Sequence, residues 1–208
     1  MAPDGPSSPA AGDNADAGGD SKAGEPAFEV LFVCTGNICR SPTAEALLRR
    51  HVEARSLPTL VRSAGTAAGW SSPTAGTIRA AAELGLDVSR HRSHPLSTED
   101  LESAGLVVAL AREHLDEAIW MSPDALPRTF TLKELVRCAS VVGARSAGEE
   151  LSAWVARVHA GRSGAVRATA PDDDVADPIG GTPDAYARTA AEIDGLVDEL
   201  FRLAWPDA

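Results

Sequence analysis

The 208-residue sequence predicts a single α/β domain, in which a four-stranded parallel sheet carries helices on both faces. Two observations support this prediction. Short apolar runs rich in β-favouring residues alternate with longer segments of helical periodicity, an order typical of βαβ units. The first apolar run also leads through a short loop into a Ser-Pro pair, which suits a helix start because Ser caps helices and Pro fits their first turn.

The beginning of the chain differs in composition from the rest. Residues 1–27 contain five Gly, four Pro, seven Ala and five acidic residues against one Lys, and no Val, Leu, Ile or aromatic residue precedes Phe28. Such a segment cannot bury enough apolar surface to offset chain entropy. We therefore predict a disordered tail over residues 1–27 and one folded domain over residues 28–208.

Four short segments are predicted to form the sheet. Residues 28–33, in which Glu29 is the one charged residue, and residues 106–110 are short, apolar and β-favouring, as expected of buried strands. Residues 60–62 and 128–131 are shorter segments with β-favouring side chains. Because helical segments separate the strands along the chain, we expect the strands to run parallel.

Helices are predicted between and after these strands. The first runs from Ser41 to about residue 55, and the second, residues 73–84, ends at Gly85, a residue favoured after helix C-termini. Three more are predicted over residues 113–121, 132–138 and 149–159. The last, residues 183–203, is the clearest, because it carries one apolar stripe at helical spacing. The stripe consists of Tyr186, Ala190, Ile193, Val197 and Leu200.

Composition narrows the range of partners. A net charge of −11 argues against nucleic acid or an anionic membrane as a partner. The longest apolar run, residues 104–111, is far shorter than the roughly 20 residues of a membrane-spanning helix, and no signal peptide is recognisable. Three cysteines do not make a disulfide framework and fit a reducing compartment. We predict a soluble, cytoplasmic enzyme or binding domain.

The loop after the first strand carries the chemistry. A loop between a strand and a helix N-terminus directs backbone N–H groups and the helix dipole at one point, which suits an anion. Gly36 permits close approach, and Arg40 supplies a planar fork for two phosphate oxygens. Cys34 stands where its sulfur can enter the same cradle as a thiolate, to which Ser41 can donate. The loop reads Cys34-Thr35-Gly36-Asn37-Ile38-Cys39-Arg40-Ser41-Pro42.

Other interpretations of this loop explain it less well. A nucleotide-binding loop of the Walker type requires Lys before its Ser or Thr, whereas Arg40 stands here. A zinc site at Cys34 and Cys39 lacks a second ligand pair at suitable spacing. Two buried cysteines in an ordinary turn would leave the Gly, Arg, Ser and Pro unexplained. A phosphate ester also needs an acid to protonate its leaving oxygen, and Asp177, in a rigid Asp-Pro-Ile-Gly-Gly segment, is the candidate.

These residues together resemble low-molecular-weight protein-tyrosine phosphatases. The segment from Val33 to Pro42 resembles the active-site loop of that family, Ser63-Ala64-Gly65-Thr66 follows the second strand as it does there, and Asp177-Pro178 matches the late acid. The resemblance spans nearly all of residues 28–204. It implies a four-stranded parallel sheet, a phosphorylated protein as substrate, inorganic phosphate as product, and neither metal nor cofactor.

The resemblance also implies roles for single residues. Cys34 would form a phosphocysteine, Arg40 would bind phosphate, and Asp177 would act first as acid and then as base. A network of Asn37, Ser63 and His91 would support the loop, and Ile38, Trp70 and Ile179 would line the substrate pocket. The phosphate itself would lie against Thr35, Gly36, Asn37, Ile38, Cys39, Arg40 and Ser41.

Two departures from the family bear on the substrate. Members specific for phosphotyrosine often carry two tyrosines after Asp-Pro, whereas Ile179 and Gly180 stand here, a form that resembles the protein-arginine phosphatases of the same superfamily. Those relatives carry Thr where Ile38 stands. Because an apolar β-branched side chain favours an aromatic ring over a guanidinium, we predict phosphotyrosine hydrolysis, with phosphoarginine hydrolysis as the alternative.

Further alternatives concern the cysteines and the late loop. Arsenate reduction on this scaffold needs a nearby resolving pair of cysteines, and it is disfavoured because only Cys138 follows the loop. A non-catalytic binding module would have lost Cys34, Arg40 or Asp177, and all three are present. Under oxidant, Cys34 is predicted to form a protective disulfide with Cys39. An insertion spans residues 140–172, and residues 161–176, with the run Asp172–Asp174, are predicted as a solvated surface loop.

Overall fold

A computed structural model describes residues 28–162 and 173–208 of the chain. Its four strands form one parallel sheet, as predicted, and their order is β2-β1-β3-β4. The strands are β1 (Phe28–Cys34), β2 (Thr59–Gly65), β3 (Leu106–Ala109) and β4 (Thr129–Thr131). The predicted tail, residues 1–27, lies outside the described residues.

The helices follow the predicted order, with small differences at their ends. They are α1 (Arg40–Ala54), α2 (Ala75–Glu83), α3 (Thr98–Ser103), α4 (Arg112–Met121), α5 (Leu132–Val142), α6 (Leu151–Ala160) and α7 (Pro183–Ala204), with a 3-10 helix over Pro123–Arg128. Gly85 follows α2 with a φ of 73°, the left-handed conformation expected after a helix end. Among the described residues, no helix combines the length and apolar character needed to cross a bilayer.

The alternation of side chains along β1 places helices on both faces of the sheet. Val30 and Phe32 enter the larger apolar cluster, together with residues of α1, α5, α6 and α7. Leu31 and Val33 enter a smaller cluster on the other face, with residues of α3 and α4. This two-sided burial explains why β1 is apolar from Val30 to Val33 without alternation.

Two short helical segments were not predicted from the sequence. Helix α3 is only six residues long, but it begins with a capping box in which Ser97 and Asp100 bond to each other's backbone N–H groups. The 3-10 helix begins at Pro123, which suits the first position of a helix. Both signals are present in the sequence, yet neither segment has the length that makes helical periodicity visible.

The insertion contributes to the core. Helix α6 lies within it, and Trp154 of this helix is fully buried in the larger cluster. The prediction of a solvated loop over residues 161–176 is wrong at Asp173, which is 1% exposed and pairs with Arg112 of α4 and Arg137 of α5. A buried carboxylate needs such partners, and the sequence places them far away along the chain. Residues 163–172 of the predicted loop lie outside the described residues.

Candidate active site

The predicted loop lies at the carboxyl end of the central strand β1 and leads into α1. It borders a cavity of about 150 Å³. Asp177 and Ile179, from the segment before α7, complete the wall, although more than 130 residues separate them from the loop in sequence. The cavity is lined by Cys34, Thr35, Gly36, Ile38, Cys39, Arg40, Asp177 and Ile179.

The sulfur of Cys34 is held by two polar groups. The backbone N–H of Asn37 donates to Sγ over 3.3 Å, and Oγ of Ser41 lies 3.0 Å from Sγ. Nδ2 of Asn37 donates to the same Ser41 oxygen over 2.8 Å, and the Ser41 hydroxyl hydrogen has two acceptors in reach, Sγ at 3.0 Å and the Ala64 carbonyl at 3.5 Å, so it donates to the nearer sulfur. Both donors stabilise negative charge on a thiolate.

The start of α1 differs from the prediction. We predicted that Ser41 caps the helix, but α1 begins at Arg40, and Cys39 occupies the cap position without a side-chain hydrogen bond. The Ser41 hydroxyl contacts Cys34 instead. The first-turn N–H groups of α1 therefore have no side-chain cap from Cys39, which suits an anion in the cradle.

Arg40 connects the loop to the candidate acid. Its Nη2 donates to Oδ2 of Asp177 over 2.6 Å and to Oγ1 of Thr35 over 3.3 Å, while its Nη1 donates to the carbonyl of Val175 over 3.2 Å. Its Nε is buried and has no hydrogen-bond partner within the described part of the chain. A donor of this kind suits an oxyanion in the cavity.

Asn37 is the centre of the predicted support network. Its φ of 52° is left-handed, a conformation that Asn tolerates better than most residues. Besides Ser41, its Nδ2 donates to Oγ of Ser63 over 2.8 Å, and its Oδ1 accepts from the backbone N–H of His94 over 2.8 Å. These contacts tie the loop to β2 and to the segment before α3.

His91 also joins this network. Its Nε2 lies 3.0 Å from the backbone oxygen and 3.1 Å from Oδ1 of Asn37, so it donates to these acceptors. Burial lowers the pKa of His91, which favours the neutral ring. Sequence reasoning missed Glu45, which accepts a hydrogen bond from Ser63 and lies 3.8 Å from Nδ1 of His91. Glu45 lies on the buried side of α1, and an acidic residue at such a helix position indicates a polar partner inside the protein.

Gly65, at the end of β2, permits the close contact between this strand and the loop. A Cβ atom here would lie 2.6 Å from the carbonyl oxygen of Thr35 and 2.9 Å from the backbone nitrogen of Asn37. Both atoms belong to the backbone, so neither can move aside easily. The glycine in the quoted Ser-Ala-Gly-Thr segment is thus required by the packing.

Of the two remaining residues predicted to line the pocket, Ile179 lies at the cavity and Trp70 does not. Ile179 lies at the cavity rim and is 57% exposed, and its backbone N–H donates to Oδ1 of Asp177 over 3.0 Å. Trp70 is 82% exposed and is not among the residues that line the cavity, so the structure does not bring it to the predicted pocket. Its loop contacts the site through backbone groups such as Ala67 N–H, which donates to the Thr35 carbonyl.

The three cysteines are free thiols in different surroundings. Cys34 and Cys39 both border the cavity, whereas Cys138 of α5 is buried in the larger apolar cluster. Burial raises the pKa of both Cys39 and Cys138. No group of three potential metal-ligating side chains is found within residues 28–162 and 173–208.

The fold and the site define the class of protein: an α/β enzyme that holds a thiol beside an oxyanion cradle. The family model for low molecular weight phosphotyrosine protein phosphatase matches residues 29–142. The chain belongs to this family of phosphatases. The match includes the loop and its supports but ends before Asp177.

The names of individual relatives refer to two different phosphorylated residues, arginine and tyrosine. The protein-arginine-phosphatase of Geobacillus stearothermophilus is 33% identical over 175 residues, which is 83% of this chain and 93% of the relative. The low molecular weight protein-tyrosine phosphatase A of Mycobacterium bovis is 44% identical over 91 residues, which is 42% of this chain and 55% of the relative. A solved low molecular weight protein tyrosine phosphatase from T. tengcongensis matches with a TM-score of 0.62 and 31% identity, over 84% of this chain and 98% of that one.

Proposed function

We propose that the protein hydrolyses phosphotyrosine in proteins through a phosphocysteine intermediate, without a metal or cofactor. The observation that carries the proposal is the position of one thiol, one guanidinium and one carboxyl group on a single cavity wall: Cys34, Arg40 and Asp177. These are the nucleophile, the oxyanion-binding group and the acid that ester cleavage requires.

In the first step, the Cys34 thiolate attacks phosphorus. An S–P bond forms, the P–O bond to the tyrosyl oxygen breaks, and the electron pair leaves with that oxygen. Asp177 donates the proton that the leaving oxygen takes up. Nε of Arg40, which is buried without a partner among the described residues, donates to a phosphoryl oxygen.

In the second step, water attacks the phosphocysteine. Asp177, now a carboxylate, accepts a proton from the water, the S–P bond breaks, and inorganic phosphate leaves. The electron pair returns to sulfur, where Ser41 Oγ and the Asn37 N–H stabilise the thiolate. The same two groups that hold the nucleophile thus also improve it as a leaving group.

The apolar parts of the cavity wall support an aromatic substrate. Ile38 and Ile179 contribute branched aliphatic side chains, and Asp177, the one carboxyl group that the described residues place on the wall, already pairs with Arg40. A phosphoarginine guanidinium would bring N–H donors to a wall that offers them no other carboxylate, whereas a phenyl ring needs none.

Phosphoarginine hydrolysis with the same machinery is a second candidate, because one specific observation favours it. The relative named a protein-arginine-phosphatase aligns over 93% of its own length, and likeness to the Mycobacterium bovis relative covers only 55% of that protein. The segment Ile179-Gly180-Gly181 after Asp-Pro also fits this candidate.

The deciding experiment compares phosphate release, in EDTA, from a phosphotyrosine peptide and a phosphoarginine peptide. Cys34→Ser is the matched control, because it replaces only the sulfur. Higher kcat/KM on phosphotyrosine, abolished in the control, supports the proposal. Preference for phosphoarginine would favour the second candidate and leave the cysteine mechanism intact.

Release from neither peptide would contradict both candidates. Arsenate reduction with a thiol reductant and binding of phosphopeptides would then be measured. The position of Cys138 in the apolar core gives a relay through a third cysteine little support. We further propose that the protein works in the cytoplasm, where its three free thiols remain reduced.

A further inference from the structure

His114 is a buried titratable side chain to which the mechanism above gives no role. It lies in the first turn of α4 and is 1% exposed. Its Nε2 lies 2.8 Å from Oγ1 of Thr35, the loop residue that follows the candidate nucleophile. A histidine so deeply buried and hydrogen-bonded to the phosphate loop is a candidate for a role in the reaction.

The surroundings of His114 select one tautomer. Nε2 has two oxygen neighbours, Thr35 Oγ1 and, at 3.3 Å, a carboxylate oxygen of Glu113. Nδ1 is buried and has no hydrogen-bond partner within the described residues. A proton on Nδ1 would bury an unpaired N–H group, whereas a proton on Nε2 leaves only a lone pair unpaired. Nε2–H therefore donates to Thr35.

The Thr35 hydroxyl is oriented as a result. Its oxygen accepts from His114 Nε2 over 2.8 Å and from Arg40 Nη2 over 3.3 Å, which occupies both lone pairs. The hydroxyl hydrogen of Thr35 is then left to donate. Thr35 lines the cavity, so a group bound there is within its reach. With its lone pairs directed at His114 and Arg40, the hydroxyl donates toward a group bound in the cavity.

We propose that His114 is a positioning residue for phosphoryl transfer, acting through Thr35 on Arg40 and on the bound phosphoryl group. This inference rests on the proposed phosphatase chemistry. Neutral His114 holds the Thr35 oxygen, which fixes Nη2 of Arg40 and presents the hydroxyl hydrogen to a phosphoryl oxygen. Burial, and then the charge of Arg40, lower the pKa of His114 to about 4, consistent with a neutral donor at pH 7.

The test uses two matched pairs of variants. Thr35→Val removes the hydroxyl and keeps the branched shape, while Thr35→Ser keeps the hydroxyl. His114→Leu removes the donor, while His114→Gln keeps an amide N–H. We expect Thr35→Val and His114→Leu each to lower kcat/KM on the phosphopeptide roughly tenfold, and Thr35→Ser and His114→Gln to stay within about threefold of the wild type.

The double variant separates positioning from packing. If His114 acts through Thr35, Thr35→Val combined with His114→Leu should lose no more activity than either single variant. Trp120→Ala, in the same helix and exposed to solvent, is the control for general damage to α4. Additive losses, or equal activity of His114→Gln and His114→Leu, would overturn the proposal. If His114→Leu does not fold, the activities of Thr35→Val, Thr35→Ser and His114→Gln still test the proposal.

Binding of inorganic phosphate gives a readout that does not depend on turnover. The dissociation constant, measured by calorimetry, should rise about tenfold in His114→Leu and Thr35→Val and by less than threefold in His114→Gln. If no phosphopeptide is hydrolysed by the wild type, the proposed function fails, and this measurement still tests the role of His114. An unchanged constant in His114→Leu and Thr35→Val overturns it.

Discussion

The side chains of Arg40 and Asp177, 137 residues apart in sequence, are in contact at 2.6 Å on the wall of the cavity. The contact brings the oxyanion-binding group of the first loop to the candidate acid before the last helix. In the mechanism proposed above, Asp177 also protonates the leaving oxygen, so its carboxyl group would exchange Arg40 for that oxygen during the reaction. Predictions about the acid follow from this exchange.

Asp177→Asn should lower kcat on a phosphotyrosine peptide by about 10²–10⁴-fold, because the leaving oxygen then departs without a proton. The loss should be much smaller on p-nitrophenyl phosphate, whose leaving group needs no protonation. Steady-state kinetics on both substrates checks this. Equal losses on the two substrates would assign Asp177 a role in binding rather than in acid catalysis.

Asp173 anchors the segment that carries the acid. It pairs through both carboxylate oxygens with Arg137 and also with Arg112, and the carbonyl of Val175, two residues on, accepts from Arg40. Asp173→Asn should lower the free energy of unfolding by about 2–3 kcal/mol, since the two arginines are partly solvated. It should also lower kcat about tenfold by displacing Asp177.

Urea unfolding and kinetics measure both effects of Asp173→Asn. The matched control is Asp194→Asn, which breaks the solvent-exposed pair with Arg50 and should cost less than about 1 kcal/mol. A stability loss in Asp173→Asn as small as in the control, with kcat unchanged, would show that the anchor has no influence on the acid.

Ile38→Thr should change the preference between substrates. Replacing the apolar side chain on the cavity wall by a hydroxyl group should lower kcat/KM on phosphotyrosine and raise it on phosphoarginine, changing their ratio by about tenfold. Ile179→Ala is the comparison variant at the rim. A larger change of the ratio in Ile179→Ala would place the determinant of specificity after Asp-Pro.

Protein stability should fall in acid partly because of His114. Burial and Arg40 lower its pKa from 6.5 to about 4, against the weaker opposing charges of Asp174 and Asp177. Between these pH values the unfolded chain binds a proton that the folded protein does not, so stability decreases by about 3 kcal/mol as pH falls from 7 to 4. The depressed pKa of His91 acts in the same direction.

His114→Gln should remove most of this dependence. Urea unfolding of wild type and variant at pH 7 and pH 4 provides the comparison, since the difference between the two proteins isolates one residue. An identical loss of stability in both would mean that other groups account for the acid sensitivity.

Mild peroxide should link Cys34 to Cys39, which both border the cavity. Peroxide oxidises one thiolate to a sulfenic acid, and the second thiol displaces water to form the disulfide. Mass spectrometry of peptides should show this link, and Cys39→Ser should instead accumulate Cys34 sulfinic acid. Sulfinic acid at Cys34 in the wild type, without a link, would contradict the prediction.

Local features of the site were predictable from the sequence. The apolar run of β1 and the loop after it determine where Cys34, Gly36 and Arg40 lie, because strand, turn and helix follow one another without a break. The stripe on α7 was equally visible, and four of its five residues are buried.

Features that join distant parts of the chain were not predictable. The contact between Thr35 and His114 spans 79 residues, and His114 in isolation looks like any histidine in the first turn of a helix. The partners of Asp173 come from two different helices, so a run of three aspartates gave no sign of burial. Trp70 was predicted to line the pocket only from its position in the family pattern, and the path of its loop leaves it exposed.

The left-handed conformation of Asn37 has a thermodynamic consequence. Its side chain bonds to Ser41, Ser63 and the His94 N–H, so groups of the chain itself hold the backbone of the loop in this shape. An anion that enters need not order the backbone, and its association should carry a small conformational entropy cost. The folding of the chain, rather than the arrival of the substrate, supplies that ordering.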